Sequence, residues 1–249
     1  MDNCDYTFPY HYIDISRGYD NIKEINEHLF LIEEVKKIIG NEYIKRQIKA
    51  NKKIKELKIA DLGCGDGRLI YELGKEGYKV DGYDRNKKAT DFAKAFNQDC
   101  LIFRQDIKEM KIRIKYDIII LLDVLEHIPS KDYYNVFMNI RKISRSKSLI
   151  IISVPSENLK LTRKHYKHFN REDLFRLMHI YNFSEIDLKY LSNIKYYRFY
   201  SILVKMRRCL PFKEQIINKI LRRLYNKLLG TTRKEKLAGR ILLFGRKNG

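Results

Sequence analysis

A glycine-rich loop is the clearest candidate binding site in the sequence. Gly63, Gly65 and Gly67 occupy every second position within "KIADLGCGDGRLIYEL", and Asp61 lies two residues before the first of them. Glycine lets the backbone turn sharply and approach a ligand that a Cβ atom would keep away. The spacing is not the G-x-G-x-x-G of dinucleotide sites, and no Lys-Ser/Thr pair follows to hold a triphosphate. The pattern favours a ligand with an ammonium group and no phosphate, although a plain strand-to-helix turn would use the same glycines.

Strand and helix patterns alternate around this loop. Apolar runs predict strands over residues 57–62, 79–83, 101–104, 116–122, 149–154, 184–191 and 240–247. Helical spacing predicts helices over residues 21–39, 68–75, 87–96, 132–144 and 171–180, the first of them ending at Gly40. Ser130 and Asn170 are the expected caps of the last two helices. Because "DIIILL" is typical of a parallel strand buried on both faces, we predict a doubly wound, mostly parallel, seven-stranded α/β sheet of the Rossmann-like kind.

The loop and five later segments resemble a known family. "ADLGCGDGRL" is similar to motif I of the class I S-adenosylmethionine-dependent methyltransferases, and "VDGYDRN", "FRQDIKEM" and "LIIISVPS" follow in the family's order. "YDIIILLDVLEHIP" and "HYKHFNREDLFRLM" resemble the branch that contains quinone-biosynthesis O-methyltransferases. The resemblance covers residues 55–190 and implies S-adenosylmethionine as the methyl donor. No metal is expected.

The resemblance also assigns the cofactor contacts. It implies that Asp84 accepts both ribose hydroxyls, and a carboxylate suits this role because it is an acceptor only. Asp106 would bind the adenine amino group with Ile107 beside the ring, and Asp61 would lie near the ammonium group. The other expected cofactor-binding residues are Gly63, Cys64, Gly65, Gly67, Arg85, Leu122 and Asp123.

The acceptor pocket should open just beyond the fourth strand. His127 lies there and is the candidate base, because an imidazole titrates near neutral pH, and Glu126 is the alternative. His127 could equally support the start of the next helix. His165 and His168 are spaced like metal ligands on one face, but no third donor is evident, so we expect them to line the acceptor pocket instead.

The N-terminal segment is unusually rich in rings. "FPYHYID" spans residues 8–14 and includes Tyr10, His11 and Tyr12. Aromatic faces stabilise a sulfonium or the face of a sugar, so this segment could fold over the pocket as a lid. The alternative is a hydrophobic strap that packs the first helix onto the core.

The net charge of +20 is concentrated towards the end of the chain. Residues 195–240 hold fourteen Lys and Arg against two acids, and include a wide apolar helical stripe. Such a segment attracts polyanions, either RNA or an anionic membrane surface, unless the charge has no partner at all. We expect one domain over 1–249, with an N-terminal lid and helical segment (1–56), a cofactor-binding core (57–194), this basic helical excursion (195–240) and a closing strand (241–249).

Composition and motifs narrow the function. The four scattered cysteines support neither a zinc site nor a disulfide framework, and the start of the chain has no signal-peptide pattern, so a cytoplasmic protein is expected. We predict a methyltransferase that acts on a hydroxyl of a small, lipid-linked or glycan-type acceptor, with peripheral membrane contact through the basic segment. An RNA methyltransferase is the first alternative, although the "NPPY" and paired-cysteine signatures of two nucleic-acid classes are missing. A non-catalytic cofactor-binding scaffold is the second.

Overall fold

A mixed β-sheet with helices on both faces organises the molecule. The computed structural model describes residues 22–50, 57–206 and 214–248. The strands are β1 (Ile59–Leu62), β2 (Val80–Asp84), β3 (Ile102–Arg104), β4 (Tyr116–Leu122), β5 (Ser144–Pro155), β6 (Phe183–Asn193), β7 (Thr231–Thr232) and β8 (Ala238–Lys247). The helices are α1 (Ile22–Ala50), α2 (Arg68–Gly74), α3 (Lys87–Phe96), α4 (Tyr133–Ile143), α5 (Arg171–Ile180), α6 (Tyr197–Met206) and α7 (Glu214–Leu228).

The strand order is β3-β2-β1-β4-β5-β8-β6-β7. Neighbours from β3 to β5 pair in parallel, whereas β8 runs antiparallel between β5 and β6. The predicted doubly wound, mostly parallel architecture is confirmed. The predicted number of seven strands is wrong by one, because Thr231–Thr232 pairs with Tyr190 and Leu191 at the sheet edge. A two-residue strand is too short to leave a hydrophobic pattern in the sequence.

Strand β4 is buried on both faces, as "DIIILL" predicts. Ile118 and Ile120 join the core cluster that contains α1, while Ile119 and Leu121 join the cluster on the opposite face with α4. Because β1 pairs with both β2 and β4, the chain reverses its direction of winding between β1 and β4. In open α/β sheets, ligands bind at the carboxyl ends of the strands at this switch point, where the glycine loop begins.

Helix α1 is longer than the sequence predicts. It continues through Gly40 to Ala50, whereas we expected Gly40 to end it. The extension is held by Glu42, a buried carboxylate that accepts two hydrogen bonds from the Arg246 guanidinium of β8. This partner lies two hundred residues away in the sequence, so the local pattern does not reveal it. None of the described helices is long and apolar enough to cross a membrane.

The two expected helix caps differ in outcome. The Asn170 side chain accepts a hydrogen bond of 2.9 Å from the Asp173 amide and caps α5, as predicted. Ser130 does not cap α4, because a turn of 3₁₀ helix over Ser130–Asp132 comes first and α4 begins at Tyr133.

Candidate active site

The glycine loop joins β1 to α2 in a tightly wound backbone. Gly63, Gly65 and Gly67 all have left-handed φ angles, of 80°, 54° and 80°. The amides of Gly63 and Cys64 both donate to the Tyr83 carbonyl, at 2.7 and 3.0 Å, and tie the loop to the end of β2. The Cys64 side chain is buried, and burial raises the pKa of its thiol, which agrees with the expected packing role.

Gly67 provides a stability prediction. A Cβ atom there would lie 2.6 Å from the Asn97 side-chain nitrogen and 3.1 Å from the Ala93 Cα, on a residue whose φ is +80°. We expect Gly67→Ala to lower the free energy of unfolding by about 1–3 kcal/mol in urea titrations. Gly40→Ala is the matched control: it has open space within α1 and should raise stability by about 0.5–1 kcal/mol. Equal effects of the two variants would contradict the geometry.

Asp84 stands at the end of β2, directly beside the loop. Its Oδ2 accepts a hydrogen bond from the Gly65 amide at 3.0 Å, and its Oδ1 accepts one from the Asn86 amide at 2.8 Å. A carboxylate has about four acceptor positions, so both oxygens keep capacity for ligand hydroxyls. Burial raises the pKa of Asp84, and these two backbone bonds oppose the shift.

Three carboxyl groups, those of Asp61, Asp66 and Asp84, collect around the loop, and the charges of Arg68 and Arg85 act on Asp66 and Asp84. Burial, with the charges of Asp84 and Asp66, raises the pKa of Asp61 to about 8. Burial also raises the pKa of Asp66 to about 7, and one of its oxygens has no hydrogen-bond partner among the described residues. A site that concentrates negative charge in this way fits a positively charged ligand, and S-adenosylmethionine carries both an ammonium and a sulfonium group.

The raised pKa of Asp61 predicts pH-dependent binding of S-adenosylmethionine. A cationic ligand prefers the ionised carboxylate, so below the pKa of about 8 each unit of acidification should weaken binding about tenfold. Calorimetric titration between about pH 6 and 7 tests this, because an α-ammonium group stays charged in that range. Asp61→Asn should bind more weakly and with a shallower pH dependence, because Asp66, whose pKa is about 7, still titrates in this range. A wild-type affinity that does not change over this range would contradict the assignment.

The predicted adenine-binding residues follow β3. Asp106 is partly exposed and its Oδ1 accepts a hydrogen bond from the Lys108 amide at 2.9 Å, while Ile107 is buried. The Arg85 side chain is exposed, at the neighbouring end of β2. Because β2 and β3 are adjacent and parallel, Asp84 and Asp106 lie at the same edge of the sheet. These assignments remain predictions.

Leu122 and Asp123 occupy the end of β4 and the residue after it. Asp123 has a left-handed φ of 57°, which is unusual for a residue other than glycine. Its Oδ1 accepts hydrogen bonds from Ser153 and from the Arg240 guanidinium, and the Arg240 Nε lies 3.6 Å from a Glu27 oxygen. Asp123 is therefore anchored from the sheet and from α1.

Arg240 is the residue of this region that sequence reasoning missed. We counted it with the basic excursion, but its side chain is mostly buried in β8, between Asp123 and Glu27. Its position in the alternating pattern "GRILLFGRK" does not distinguish it from an exposed basic residue. Arg240 therefore does not add its positive charge to the exposed basic surface of residues 195–240. It pairs with Asp123 instead.

His165 lies beside the adjacent residues Glu126 and His127, although it is far from them in sequence. The Tyr166 amide donates to the Glu126 carbonyl at 2.7 Å and brings the two segments together. The rings of His127 and His165 are 4.7 Å apart. One ligand atom from each of the three residues lies within 4.8 Å of the others. His168, the residue we paired with His165, is instead behind it, with its Nε2 at 2.8 Å from the His165 Nδ1.

Hydrogen bonds determine which imidazole nitrogens remain free. The His127 Nδ1 lies 3.0 Å from the Lys164 carbonyl, and a carbonyl only accepts, so this nitrogen carries the proton of the neutral ring. The His168 Nδ1 likewise donates to the Leu159 carbonyl, which leaves its Nε2 to accept from the His165 Nδ1. The Nε2 atoms of His127 and His165 therefore both bear lone pairs.

The surroundings raise the pKa of Glu126 and lower the pKa of His165. Burial, with the neighbouring His127 and His168, lowers the pKa of His165 to about 4, so this ring is neutral at pH 7. Burial and the charge of Asp123 raise the pKa of Glu126 to about 8. A carboxyl that is protonated at pH 7 is a poor base, which favours the imidazoles over Glu126 as proton acceptors.

The cluster of Glu126, His127 and His165 also bears on the metal prediction. We found no third donor for His165 and His168, but the structure supplies Glu126 and His127 as partners for His165. Two Nε2 lone pairs and a carboxylate within this reach could coordinate a divalent cation. The three side chains could therefore act either as a base or as the ligands of a metal ion, and an activity assay after treatment with a chelator separates the two roles.

The predicted N-terminal lid cannot be compared with the structure. Tyr10, His11 and Tyr12 lie outside the described residues.

Solved structures with this fold include S-adenosylmethionine-dependent methyltransferases. One from Archaeoglobus fulgidus superposes with a TM-score of 0.55 at 15% identity, covering 85% of this chain and 94% of its own. Magnesium protoporphyrin IX methyltransferase from Synechocystis PCC 6803 superposes with a TM-score of 0.55 at 16% identity, covering 95% and 96%. At such low identity these similarities establish the fold alone, which is that of the class I methyltransferases.

Sequence comparison identifies the family. The model of a methyltransferase domain matches residues 30–190, so the chain belongs to the methyltransferase domain family. Ubiquinone biosynthesis O-methyltransferases are similar to it: that of Rickettsia bellii is 30% identical over 123 residues, and that of Pelagibacter ubique 27% over 115. These matches cover 47% and 45% of this chain, and about half of each relative. The predictions of the class I family and of S-adenosylmethionine as its cofactor are confirmed.

Proposed function

We propose that the protein transfers a methyl group from S-adenosylmethionine to a hydroxyl oxygen of a small, lipid-linked or glycan-type acceptor. The observation that carries the proposal is the pair of imidazole nitrogens, His127 Nε2 and His165 Nε2, that bear lone pairs just beyond β4. Val124, three residues before His127, packs against Gly63, since a Cβ there would lie 2.5 Å from the valine. The base and the donor loop are thus part of one site.

Methyl transfer requires the protein to position the donor and the acceptor and to remove one proton. Bound S-adenosylmethionine supplies a methyl carbon that is already activated on a sulfonium, so the acceptor oxygen bonds to it as the carbon–sulfur bond breaks and S-adenosylhomocysteine is released. The loop and Asp84 hold the donor, which limits its motion relative to the acceptor. The acceptor proton passes to the Nε2 of His127 and then to solvent, because the His127 side chain is exposed.

His165 and His168 act as supports in this scheme. The Nδ1 proton of His165 is bound by His168, so the ring presents its Nε2 towards His127 and Glu126. A neutral His165 beside His127 accepts a hydrogen bond from the acceptor without competing for its proton, since the pKa of His165 is lowered to about 4. The names of the similar O-methyltransferases support oxygen as the methylated atom.

Two alternatives keep the same fold. An RNA methyltransferase would use the basic residues of 195–240 to bind phosphates, and it requires binding that falls steeply with salt. A cofactor-binding scaffold would bind S-adenosylmethionine and release no product. A candidate base in the cluster supports a hydroxyl acceptor over the scaffold, which needs no base. A ribose hydroxyl of RNA would use the same base, so the distribution of a labelled methyl group distinguishes RNA from the other acceptors.

Transfer of a labelled methyl group tests the proposal. The purified protein is incubated with methyl-labelled S-adenosylmethionine and cell extract, and the label is measured in lipid, small-molecule, glycan, RNA and protein fractions. We expect label in the lipid, small-molecule or glycan fraction as an ether that resists mild base. Label in RNA would favour the first alternative, and no transfer despite donor binding would favour the scaffold.

A further inference from the structure

The helices α6 and α7 form a pair that is attached to the molecule by one face only. The Tyr200 hydroxyl of α6 donates to the Leu221 carbonyl of α7 at 3.1 Å and accepts from Asn26 of α1 at 2.8 Å. The rings of Tyr200 and Tyr225 are 5.5 Å apart. The buried stripe of the pair consists of Tyr200, Val204, Ile217, Leu221 and Tyr225. The opposite sides of both helices therefore face away from the core.

The outward sides of these helices are apolar to an unusual degree. On α6, Phe199, Ile202 and Met206 are 52%, 55% and 55% exposed, at the i, i+3, i+7 spacing of a single helix face. On α7, Ile216 and Ile220 are 51% and 50% exposed, one turn apart. Of the twelve large hydrophobic side chains exposed in the described residues, five lie on this pair. Scattered exposed hydrophobics are ordinary, whereas such a concentration marks an interaction surface.

Basic side chains border the apolar residues. The two helices contain six Lys and Arg and one acid. Arg222 lies 4.0 Å from Glu33 of α1, but Arg198, Lys205, Lys219, Arg223 and Lys227 are exposed and form no ion pair with any described side chain. The outer face thus combines half-exposed apolar groups with uncompensated positive charge.

We propose that the outer face of α6 and α7 docks on an anionic phospholipid surface. Interfacial helices bury an apolar face at the headgroup boundary while Lys and Arg contact anionic lipid, so a bilayer satisfies both features at once. RNA would neutralise the charge but leave the aliphatic side chains of Ile202, Met206, Ile216 and Ile220 in water. A second copy of the chain would bring the same positive charge to the contact.

Helix α6 is connected to the candidate active site through Glu27 of α1. The Tyr197 hydroxyl of α6 donates to a Glu27 oxygen at 3.4 Å, and Glu27 in turn lies beside Arg240, which holds Asp123. The docking proposal goes beyond the proposed methyl transfer and does not depend on the identity of the acceptor.

Vesicle flotation of the full chain tests the proposal. The probes are vesicles of phosphatidylcholine alone and of phosphatidylcholine with phosphatidylglycerol. We expect the wild-type protein to float with the anionic vesicles only, and less so as salt increases. Ile202→Asp with Ile220→Asp, or Lys219→Glu with Arg223→Glu, should lower the bound fraction at least about tenfold. Ile180→Asp is the matched control, because Ile180 is 63% exposed on α5, and it should float like the wild type.

Three results would overturn the docking proposal. The first is a wild-type protein that does not float with anionic vesicles. The second is a loss of the bound fraction in the Ile180→Asp control that equals the loss in the test variants. The third is a protein that does not bind vesicles but binds structured RNA, with an affinity that the aspartate substitutions leave unchanged. Titration of each variant with S-adenosylmethionine shows that the fold is intact, since none of these residues lies near the loop. Methyl transfer to a water-soluble acceptor should also persist in all variants, so failure of docking and failure of the proposed function give different results.

Discussion

Asp84→Ala should weaken the binding of S-adenosylmethionine by about a hundredfold to ten-thousandfold. The change removes a carboxylate that would accept both ribose hydroxyls, and hydrogen bonds to charged groups contribute about 1.5–3 kcal/mol each. It also releases the amides of Gly65 and Asn86, which the carboxylate holds at 3.0 and 2.8 Å. Isothermal titration of the purified variant measures the loss.

Two further variants make the Asp84 result specific. Asp84→Asn keeps one carbonyl acceptor of the same shape, so its affinity should lie between those of the wild type and the alanine variant. Asp91→Ala, on the exposed surface of α3, should bind like the wild type. If Asp84→Ala binds S-adenosylmethionine with unchanged affinity while its melting temperature is also unchanged, the ribose role of Asp84 is wrong.

His127→Asn should lower kcat by about a hundredfold to ten-thousandfold with little change in donor affinity. General bases contribute rate factors of this size, and asparagine keeps a polar side chain but cannot take the proton. The loop and Asp84, which bind the donor, remain intact. Steady-state kinetics with the acceptor identified by label transfer measures kcat, and titration measures donor affinity.

The His127 prediction has both a control and a competing explanation. His179→Asn changes an exposed histidine at the end of α5 and should leave kcat unchanged. Dialysis against a chelator should also leave kcat unchanged if His127 acts as a base. Activity that is lost on chelation and restored by a divalent cation would assign Glu126, His127 and His165 to an ion instead.

Local patterns were sufficient for the parallel half of the fold. The alternation of apolar strands and amphipathic helices from β1 to α4 depends on neighbours within a few residues, and there the predicted and observed boundaries agree within two residues. Strand β5 begins at Ser144 rather than at the predicted residue 149. The extension of α1 past Gly40 depends on Arg246, and β7 depends on its pairing with β6. Such long-range partners have no local signature, so the sequence pattern missed both.

The candidate site was likewise predicted only in part. The donor loop, Asp84 and Asp106 follow successive strands, and the family resemblance implied these positions at the ends of the strands. The contact of His165 with Glu126 and His127, in addition to His168, depends on how a loop folds back after β5. The burial of Arg240 beneath Asp123 depends on an antiparallel strand inserted between β5 and β6. Neither could be read from periodicity.

The proposed function requires that the Gly63–Gly67 loop and the histidine cluster form one donor and acceptor site. A crystal structure of the protein with S-adenosylhomocysteine tests this most directly. We predict ribose hydroxyls within hydrogen-bond distance of the Asp84 carboxylate, the ammonium group beside Asp61, and the sulfur facing His127 and His165. If the ligand is bound elsewhere, or if its sulfur faces away from the two imidazoles, the proposed single site is wrong.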